Sequence, residues 1–380
     1  MRDEARAGTV QAFADSVADP TARPAVSVVI PTRNRFAFLS EAIESIRRQT
    51  SADWEVVVVD DASDDGSATE ASRLLAEDRR MRLVALEAHA ERSRARNVGL
   101  AAASGRYVLF LDDDDRLLPK ALETLGRTLD RESQASVAIG ARRAFDTDGQ
   151  VRRAPHPRFR VRRRLVEELL LGWLSAWVAV PGQCLMRTDE LRAAGGWNET
   201  LVGPEDQELL LRLTSDRPAV LLPPAVLEYR LHDSQWRPPD VREQEDAFRR
   251  EIARGLGDAG IDAWSLLRAG ELLRDAEDAY DRSEYRAAVR LLSSAVRVSP
   301  RLLRSPVVAP TYLHLYAKAS AGAVLGARGA RLVREARGRC RRLLHRAPEA
   351  HVVVLSEAPP LPGRAEGYRA ATGGPPNPSD

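Results

Sequence analysis

The 380-residue chain contains almost no lysine and little cysteine. Of its 57 basic residues only Lys120 and Lys318 are lysine, so 55 are arginine, a bias typical of a GC-rich genome rather than of an arginine-specific surface. Its two cysteines, Cys184 and Cys340, cannot build a disulfide framework, and their spacing matches no metal-binding motif. The composition therefore excludes a disulfide scaffold and a cysteine-based metal centre.

Long apolar runs and a strong net charge are also missing. No run of about 18 apolar residues occurs, and the polar, acidic N-terminus does not resemble a signal peptide. A net charge of +2 gives no strong field that would favour nucleic acid. The sequence predicts a cytoplasmic protein without a nucleic-acid partner. The basic stretch from Lys318 to Arg346 leaves peripheral contact with the inner face of a membrane open, although its arginines fall on most sides of the helix.

Short strands and helices alternate over the first 115 residues. Apolar runs predict strands at 25–30, 54–59, 82–86 and 106–111. Helical spacing predicts helices at 40–49, 68–78 and 92–103, the first with Ser40 as its N-cap. The strands are apolar throughout, which indicates a parallel sheet covered on both faces, and ligands bind such sheets beyond the carboxyl ends of the strands.

The rest of the chain divides by composition. A disordered tail is expected at 1–24, an α/β domain at 25–238, an α-helical region at 239–350 and a disordered Pro/Gly-rich tail at 351–380. Within the helical region, 266–298 resembles a helical hairpin. One such unit cannot bury its own apolar face, so the hairpin should pack on its neighbours.

Four consecutive carboxylates, Asp112–Asp115, follow the apolar run Val108–Leu111. At such close range they raise one another's pKa unless a cation neutralises them. Oxygen ligands of this kind suit Mg²⁺ or Mn²⁺, and Mg²⁺ is typically held by one or two carboxylates together with substrate phosphates. The alternative is a solvated acidic turn that caps the helix starting near Pro119.

Six short motifs, in this order and spacing, resemble those of family 2 glycosyltransferases with the GT-A fold. They are SVVIPTRNR at 27–35, VVVDDASDDGS at 57–67, ARNVG at 95–99, FLDDDD at 110–115, GGW at 195–197 and EDQEL at 205–209. The resemblance covers roughly residues 25–235. It implies a Rossmann-like mixed sheet flanked by helices, with a nucleotide-sugar-binding half at 25–115 and an acceptor-side half at 116–238. The helical C-terminal region lies outside it.

The resemblance implies a metal-assisted, inverting transfer of a sugar from a nucleotide diphosphate donor to an acceptor hydroxyl, as in polysaccharide biosynthesis. A uridine diphosphate sugar is the expected donor, with guanosine and thymidine nucleotides left open. The acceptor is expected to be a glycan, a lipid-linked molecule or a small molecule. The cofactor is expected to be Mn²⁺ or Mg²⁺.

The same resemblance assigns the donor-side residues. Asp114 is the expected metal ligand, and Asp112 contacts the ribose or the metal, with Asp113 beside them. His232 lies where relatives carry a histidine near the metal and diphosphate; a packing role is the alternative. The other histidines, 89, 156, 314, 345 and 351, have no partner that the sequence identifies.

Further donor contacts are expected on three other segments. Asp61 resembles the residue that accepts a hydrogen bond from the nucleobase, with a turn-forming role as the alternative. Pro31, Thr32 and Arg33 would line the base and ribose pocket. Arg96 could orient the nucleotide phosphates, because a planar guanidinium suits phosphate oxygens, or it could simply hold the local loops.

Inversion in one displacement needs a general base opposite the leaving group. Asp206 matches the family position for that base, and Glu205 is the competitor, better suited to fixing acceptor or loop geometry. The alternative is that both acids only stabilise the first turn of a helix at 207–213.

Two rival functions come from the same residues. A haloacid-dehalogenase-type phosphatase also places Asp-x-Asp after a strand, but Arg116 stands where its threonine or valine belongs, and lysine is scarce. A catalytically inactive transferase-like domain acting as a binding module is the other rival, although both acidic motifs are intact.

Overall fold

The structure, a computed structural model, describes residues 23–146, 151–152, 162–163, 179–214, 217–232, 248, 250, 263–304, 309 and 312–326. The disorder predicted for 351–380 and for nearly all of 1–24 lies outside these residues. The described strands are β1 Val26–Thr32, β2 Trp54–Asp60, β3 Met81–Ala85, β4 Tyr107–Phe110, β5 Arg116–Leu117, β6 Val137–Asp146, β7 Val151–Arg152, β8 Arg162–Arg163, β9 Cys184–Arg187 and β10 Ala219–Leu231.

These strands form one mixed sheet in the order β3-β2-β1-β4-β9-β6-β10-β5, with β7 beside β6 and β8 beside β10. β1 is parallel to β2 and β4, and β2 is parallel to β3, as the uniformly apolar strands predicted. Antiparallel β9 then separates β4 from β6. The predicted fold class, a mixed sheet flanked by helices, is confirmed.

The described helices are α1 Phe36–Arg47, α2 Ser67–Leu75, α3 Glu91–Ala102, α4 Ala121–Arg131, α5 Thr188–Ala193, α6 Glu205–Thr214, α7 Ala263–Asp281 and α8 Tyr285–Val298. Residues 312–326 are also helical, and 3₁₀ turns lie at Pro181–Gln183 and Pro300–Arg304. None of the helices within the described ranges is long and apolar enough to cross a membrane.

Successive strand residues point to opposite faces of the sheet, and each face has its own apolar cluster. Val28 and Val58 pack in one cluster with α1, α2 and α4. Val29 and Val59 pack in the other cluster with α3, α5 and α6. The helical hairpin of α7 and α8 belongs to this second cluster, through buried residues that include Leu292. The predicted packing of the hairpin on neighbouring elements is confirmed.

The N-cap prediction for Ser40 is wrong, and the alternative that the acidic run caps the next helix does not hold for Asp115. Helix α1 begins at Phe36, so Ser40 lies inside the helix, where its hydroxyl donates to the carbonyl oxygen of Ala37 over 2.8 Å. Asp115 does not cap α4, which begins only after Lys120. Instead Asp115 Oδ1 accepts a hydrogen bond from the backbone N–H of Arg230, 2.9 Å away on β10.

Candidate active site

A cleft of about 400 Å³ opens beyond the carboxyl ends of β1, β2 and β4, where the strand order predicted it. Eight predicted site residues line it: Pro31, Thr32, Arg33, Asp61, Arg96, Asp112, Asp113 and Asp114. Six further lining residues were not predicted: Arg35, His89, Glu91, Arg92, Ala95 and Tyr229. The fold thus brings residues from four separate motifs together in one cleft.

The acidic run is held from the β1 side. The hydroxyl of Thr32 donates to Asp113 Oδ2 over 2.7 Å. Arg35 Nη1 lies 3.0 Å from Asp114 Oδ2 and 3.4 Å from Asp113 Oδ1. Burial, together with the charges of Asp114 and Asp112, raises the pKa of Asp113 to about 7 despite these partners. An additional positive charge would therefore be favoured at this site.

Asp114 also meets a residue from the far end of the sheet. His232 follows β10, and its Nε2 lies 3.0 Å from Asp114 Oδ2. The imidazole rests against the ring of Phe38, with centroids 5.2 Å apart. The preceding Arg230 fixes this end of β10, because its Nε donates to the backbone oxygen of Asp114 over 2.8 Å and its Nη2 to Glu41 over 2.6 Å.

Arg96 lies between the acidic run that follows β4 and the Glu205–Asp206 pair that begins α6. Its Nη2 donates to Asp112 Oδ1 over 2.7 Å, and its Nη1 lies 3.5 Å from Glu205 Oε1. Its guanidinium carbon lies 4.4 Å above the ring of Trp197, from the GGW motif. This arginine is almost fully buried, so its side chain is fixed between the two acidic motifs.

Asp61 is engaged by the loop before α3. Its Oδ2 lies 2.7 Å from His89 Nδ1, and its Oδ1 accepts the N–H of Ala90 over 2.7 Å. The expectation that His89 has no partner is therefore wrong. Glu91 Oε1 approaches the other ring nitrogen at 3.3 Å, so two carboxylates flank this imidazole.

Glu205 and Asp206 form the first turn of α6, which begins two residues earlier than predicted. Glu205 is buried, and both of its oxygens are engaged: Oε2 accepts the N–H of Gly203 over 2.7 Å, and Oε1 faces Arg92 and Arg96 at 3.4 and 3.5 Å. Asp206 Oδ1 accepts the N–H of Gln207 over 2.7 Å. Its Oδ2 receives no hydrogen bond from the part of the chain that the structure describes.

The two acids also differ in electrostatics. Burial first, and then the Glu205 carboxylate, raise the pKa of Asp206 to about 7, although Arg96 and Arg92 act in the opposite direction. A carboxylate with such a pKa can exchange a proton near neutral pH. Within the described ranges, Asp206 thus combines a raised pKa with one carboxylate oxygen that accepts no hydrogen bond, whereas both oxygens of Glu205 are engaged.

Comparison with known proteins decides the family. The sequence profile of Glycosyl transferase family 2 matches residues 27–193. An uncharacterised protein of Mycobacterium tuberculosis (strain CDC 1551 / Oshkosh) is 34% identical over 226 residues, which are 56% of this chain and 68% of that protein. The chain belongs to glycosyltransferase family 2. The predicted family and enzyme class are confirmed, and the phosphatase alternative is set aside.

Two further comparisons concern named proteins, one a sequence relative and one a solved structure. The GalNAc(5)-diNAcBac-PP-undecaprenol beta-1,3-glucosyltransferase of Campylobacter jejuni is 41% identical over 103 residues, which cover 27% of this chain and 33% of that enzyme. The crystal structure of S. aureus TarS 1–349 in complex with UDP-GlcNAc is 19% identical, with a TM-score of 0.51 over 83% of this chain and 92% of that one. The chain therefore spans only a third of the Campylobacter enzyme, and TarS supports the fold.

Proposed function

We propose that the protein transfers a sugar from a uridine diphosphate sugar to an acceptor hydroxyl, with inversion, metal assistance and Asp206 as the general base. One observation carries this proposal. Arg96 contacts Asp112 at 2.7 Å and Glu205 at 3.5 Å, so the donor motif and the base motif meet around one buried guanidinium. A single-displacement transferase needs these two acidic groups next to each other across the reacting bond.

The cleft has the donors and acceptors that a nucleotide diphosphate requires. Each carboxylate oxygen of Asp61 makes one contact, with His89 or with the N–H of Ala90. Because a carboxylate oxygen has two lone pairs, Asp61 can still accept a hydrogen bond from a uracil N–H. The buried Nε atoms of Arg33 and Arg96 have no acceptor among the described residues. Phosphate oxygens would satisfy such donors. Pro31 and Thr32 complete the wall on which base and ribose would lie.

The residues also fit a divalent cation, with the donor as a partner. Among the described residues, no three His, Cys, Asp or Glu side chains are grouped to hold a metal. Asp114 and His232, 3.0 Å apart, offer an oxygen and a nitrogen, and Asp112 lies close by in the same run. Mg²⁺ and Mn²⁺ sites commonly use one or two protein ligands plus substrate phosphates. A cation bound there would neutralise charge on the departing diphosphate.

Asp206 is the proposed proton acceptor. Its free Oδ2 would take the proton of the acceptor hydroxyl as that oxygen attacks the anomeric carbon, and the nucleotide would leave from the opposite face. Glu205 cannot do this without losing its contacts with Gly203, Arg92 and Arg96. We assign Glu205 to positioning Arg96 and the turn before α6.

The proposal also covers where and on what the enzyme acts. The named Campylobacter relative, a glucosyltransferase for an undecaprenol-linked glycan, supports a glycan or lipid-linked acceptor in polysaccharide biosynthesis. Residues 25–238 would carry the activity, with the donor half at 25–115 and the acceptor half at 116–238. A cytoplasmic location, with peripheral contact at the inner face of a membrane, would place the enzyme at such acceptors.

Titration calorimetry with UDP, with and without Mn²⁺, tests this proposal directly. We expect Mn²⁺ to tighten UDP binding, and Asp114→Ala to remove that gain. Asp189→Ala, an exposed carboxylate on α5, serves as the control and should behave as the wild type. If Mn²⁺ leaves the affinity for UDP and for a panel of other nucleotide diphosphates unchanged, metal-assisted transfer is wrong. If Mn²⁺ does tighten UDP binding, the donor sugar can be identified by testing which UDP-sugar the enzyme hydrolyses to free sugar in the presence of Mn²⁺.

A further inference from the structure

The positively charged side chain of Arg35 lies next to Asp113 and Asp114, in the acidic run where the metal is proposed to bind. Arg35 Nη1 is 3.0 Å from Asp114 Oδ2, the same oxygen that His232 Nε2 approaches at 3.0 Å. It is also 3.4 Å from Asp113 Oδ1. Both carboxylates are largely buried, with side chains 7% and 16% exposed, so the pair is only weakly screened by solvent. The Arg35 guanidinium thus pairs with two carboxylates of the acidic run.

Arg35 also lies between two cavities. It lines the donor cleft, and it lines an outer groove of about 860 Å³ between the starts of α1 and α2. Among the described residues it is the one that lines both. The outer groove carries the carboxylates Asp65, which accepts the N–H of Ser67, and Glu70, which pairs with Arg73 at 2.6 Å. A long, flexible arginine side chain that leaves the cleft therefore has space and negative charge to receive it.

We propose that Arg35 is a placeholder cation, which holds Asp113 and Asp114 together in the empty enzyme and leaves Asp114 for the outer groove when a divalent metal and the donor bind. The inference rests on the proposed function, because it assumes that Asp114 is a metal ligand. Two cations that share one carboxylate oxygen repel each other strongly in a partly buried site. A metal ion that binds alone has to displace Arg35 against this repulsion. When the metal binds together with a nucleotide diphosphate, the negative charge of the diphosphate offsets the repulsion.

This arrangement makes metal and nucleotide binding interdependent. In the wild type, Mn²⁺ alone should bind weakly, and UDP should increase its affinity strongly. Arg35→Met removes the competitor, so Mn²⁺ alone should bind roughly tenfold more tightly, the effect of losing one charge-assisted hydrogen bond. The additional gain from UDP should become correspondingly smaller. By linkage, Mn²⁺ should also promote UDP binding less in this variant than in the wild type.

The experiment is a titration of the full chain with Mn²⁺, followed by electron paramagnetic resonance of the free ion, with and without UDP. Arg92→Met is the matched control, because Arg92 lines the same cleft but pairs with Glu205 rather than with the acidic run. A general loss of positive charge would raise Mn²⁺ affinity similarly in both variants. Our inference requires the increase to be specific to Arg35→Met. Arg35→Gln, which removes the charge but keeps a hydrogen-bond donor, should shift affinity in the same direction.

The outcomes separate the two proposals. If Mn²⁺ binds neither alone nor with UDP in any variant, the proposed metal-assisted function fails. If UDP promotes Mn²⁺ binding in the wild type but the two Arg35 variants bind Mn²⁺ alone no better than Arg92→Met does, the placeholder role is overturned and the proposed function stands. Circular dichroism confirms that each variant is folded. A crystal structure with UDP and Mn²⁺ should show Arg35 away from Asp114.

Discussion

Arg96 donates from Nη2 to Asp112 Oδ1 over 2.7 Å, and this pair joins helix α3 to the acidic run that follows β4. Arg96 is 2% exposed. Burial alone would lower the pKa of Arg96, but the charges of Asp112 and Glu205 more than offset it and hold the pKa above its ordinary value. Its charge is therefore retained inside the protein and organises both acidic motifs.

Replacing Arg96 should destabilise the fold as well as the site. Arg96→Met leaves the half-buried Asp112 without its counter-charge and the buried Glu205 with Arg92 alone, which should cost about 3 kcal/mol in the free energy of unfolding. Urea unfolding measures this. Arg94→Met, on the same helix but exposed, should change the free energy by less than about 1 kcal/mol. Equal effects of the two substitutions would show that Arg96 has no special structural role.

Asp206→Asn should abolish transfer without weakening donor binding. The amide cannot accept the proton of the acceptor hydroxyl, so turnover should fall by about 10²–10⁴-fold. Calorimetry with UDP and Mn²⁺ should give the wild-type affinity, because Asp206 does not line the donor cleft. Asp189→Asn, an exposed acid, should keep wild-type turnover. Retained turnover in Asp206→Asn would assign the base to another residue.

The pH dependence of the wild-type enzyme should report the same carboxylate. Burial and the nearby Glu205 raise the pKa of Asp206 from 3.8 to about 7, and the base must be deprotonated to act. We therefore expect kcat/KM to fall tenfold per pH unit below about 7 and to level off above it. A profile that stays flat down to pH 5 would contradict Asp206 as the base.

Asp113 should make the metal-free protein less stable as the pH rises. Its pKa is about 7 in the folded state and near 3.8 when unfolded, so the folded state binds this proton more tightly. The resulting stability is fully present below pH 4 and is lost as the pH rises through about 7. Asp113→Asn removes the charge and keeps an acceptor for Thr32. The free energy of unfolding of the variant should be about 1–2 kcal/mol higher than that of the wild type at pH 8, and the difference should be smaller at pH 5. Urea unfolding at both pH values, without metal, measures the difference.

The sheet and the location of the cleft could be predicted because they depend on local sequence. β1, β2 and β4 are short, uniformly apolar runs that end in polar residues, and the structure gives them nearly the expected bounds. β6 and β10 were not predicted. β10 contains Pro223 and Pro224, which interrupt the strand pattern, and its pairing with β6 shifts register between Leu221 and Leu227. These two strands form because they pair with each other across the sheet, and a local sequence pattern does not reveal such pairing.

The site could be predicted only in part, for a similar reason. Residues within motifs, such as Asp112 and Arg96, could be named because the motifs have recognisable residues and spacing. Arg35, His89 and Arg230 act through contacts with residues 28 to 189 positions away in the chain. No sequence window contains those pairs. Arg35 could have been named from its place in the first motif, because it lies just after β1 and close in sequence to the predicted pocket residues Thr32 and Arg33.

Gly99 tests how closely α3 must approach the sheet for the site to form. A Cβ at this position would lie 2.2 Å from Val29 Cγ1 and 3.2 Å from Val59 Cγ2, so Gly99→Ala requires α3 or the Val29 side chain to shift. This overpacking should cost about 1–3 kcal/mol and should weaken UDP binding, because the same helix carries Arg96. Gly126→Ala is the matched control, since Gly126 lies within α4 and an added Cβ there meets no atom within 4 Å. That substitution should instead stabilise the protein by about 0.5–1 kcal/mol, the difference in helix propensity. If Gly99→Ala is as stable as Gly126→Ala and binds UDP normally, the close approach of α3 is not required.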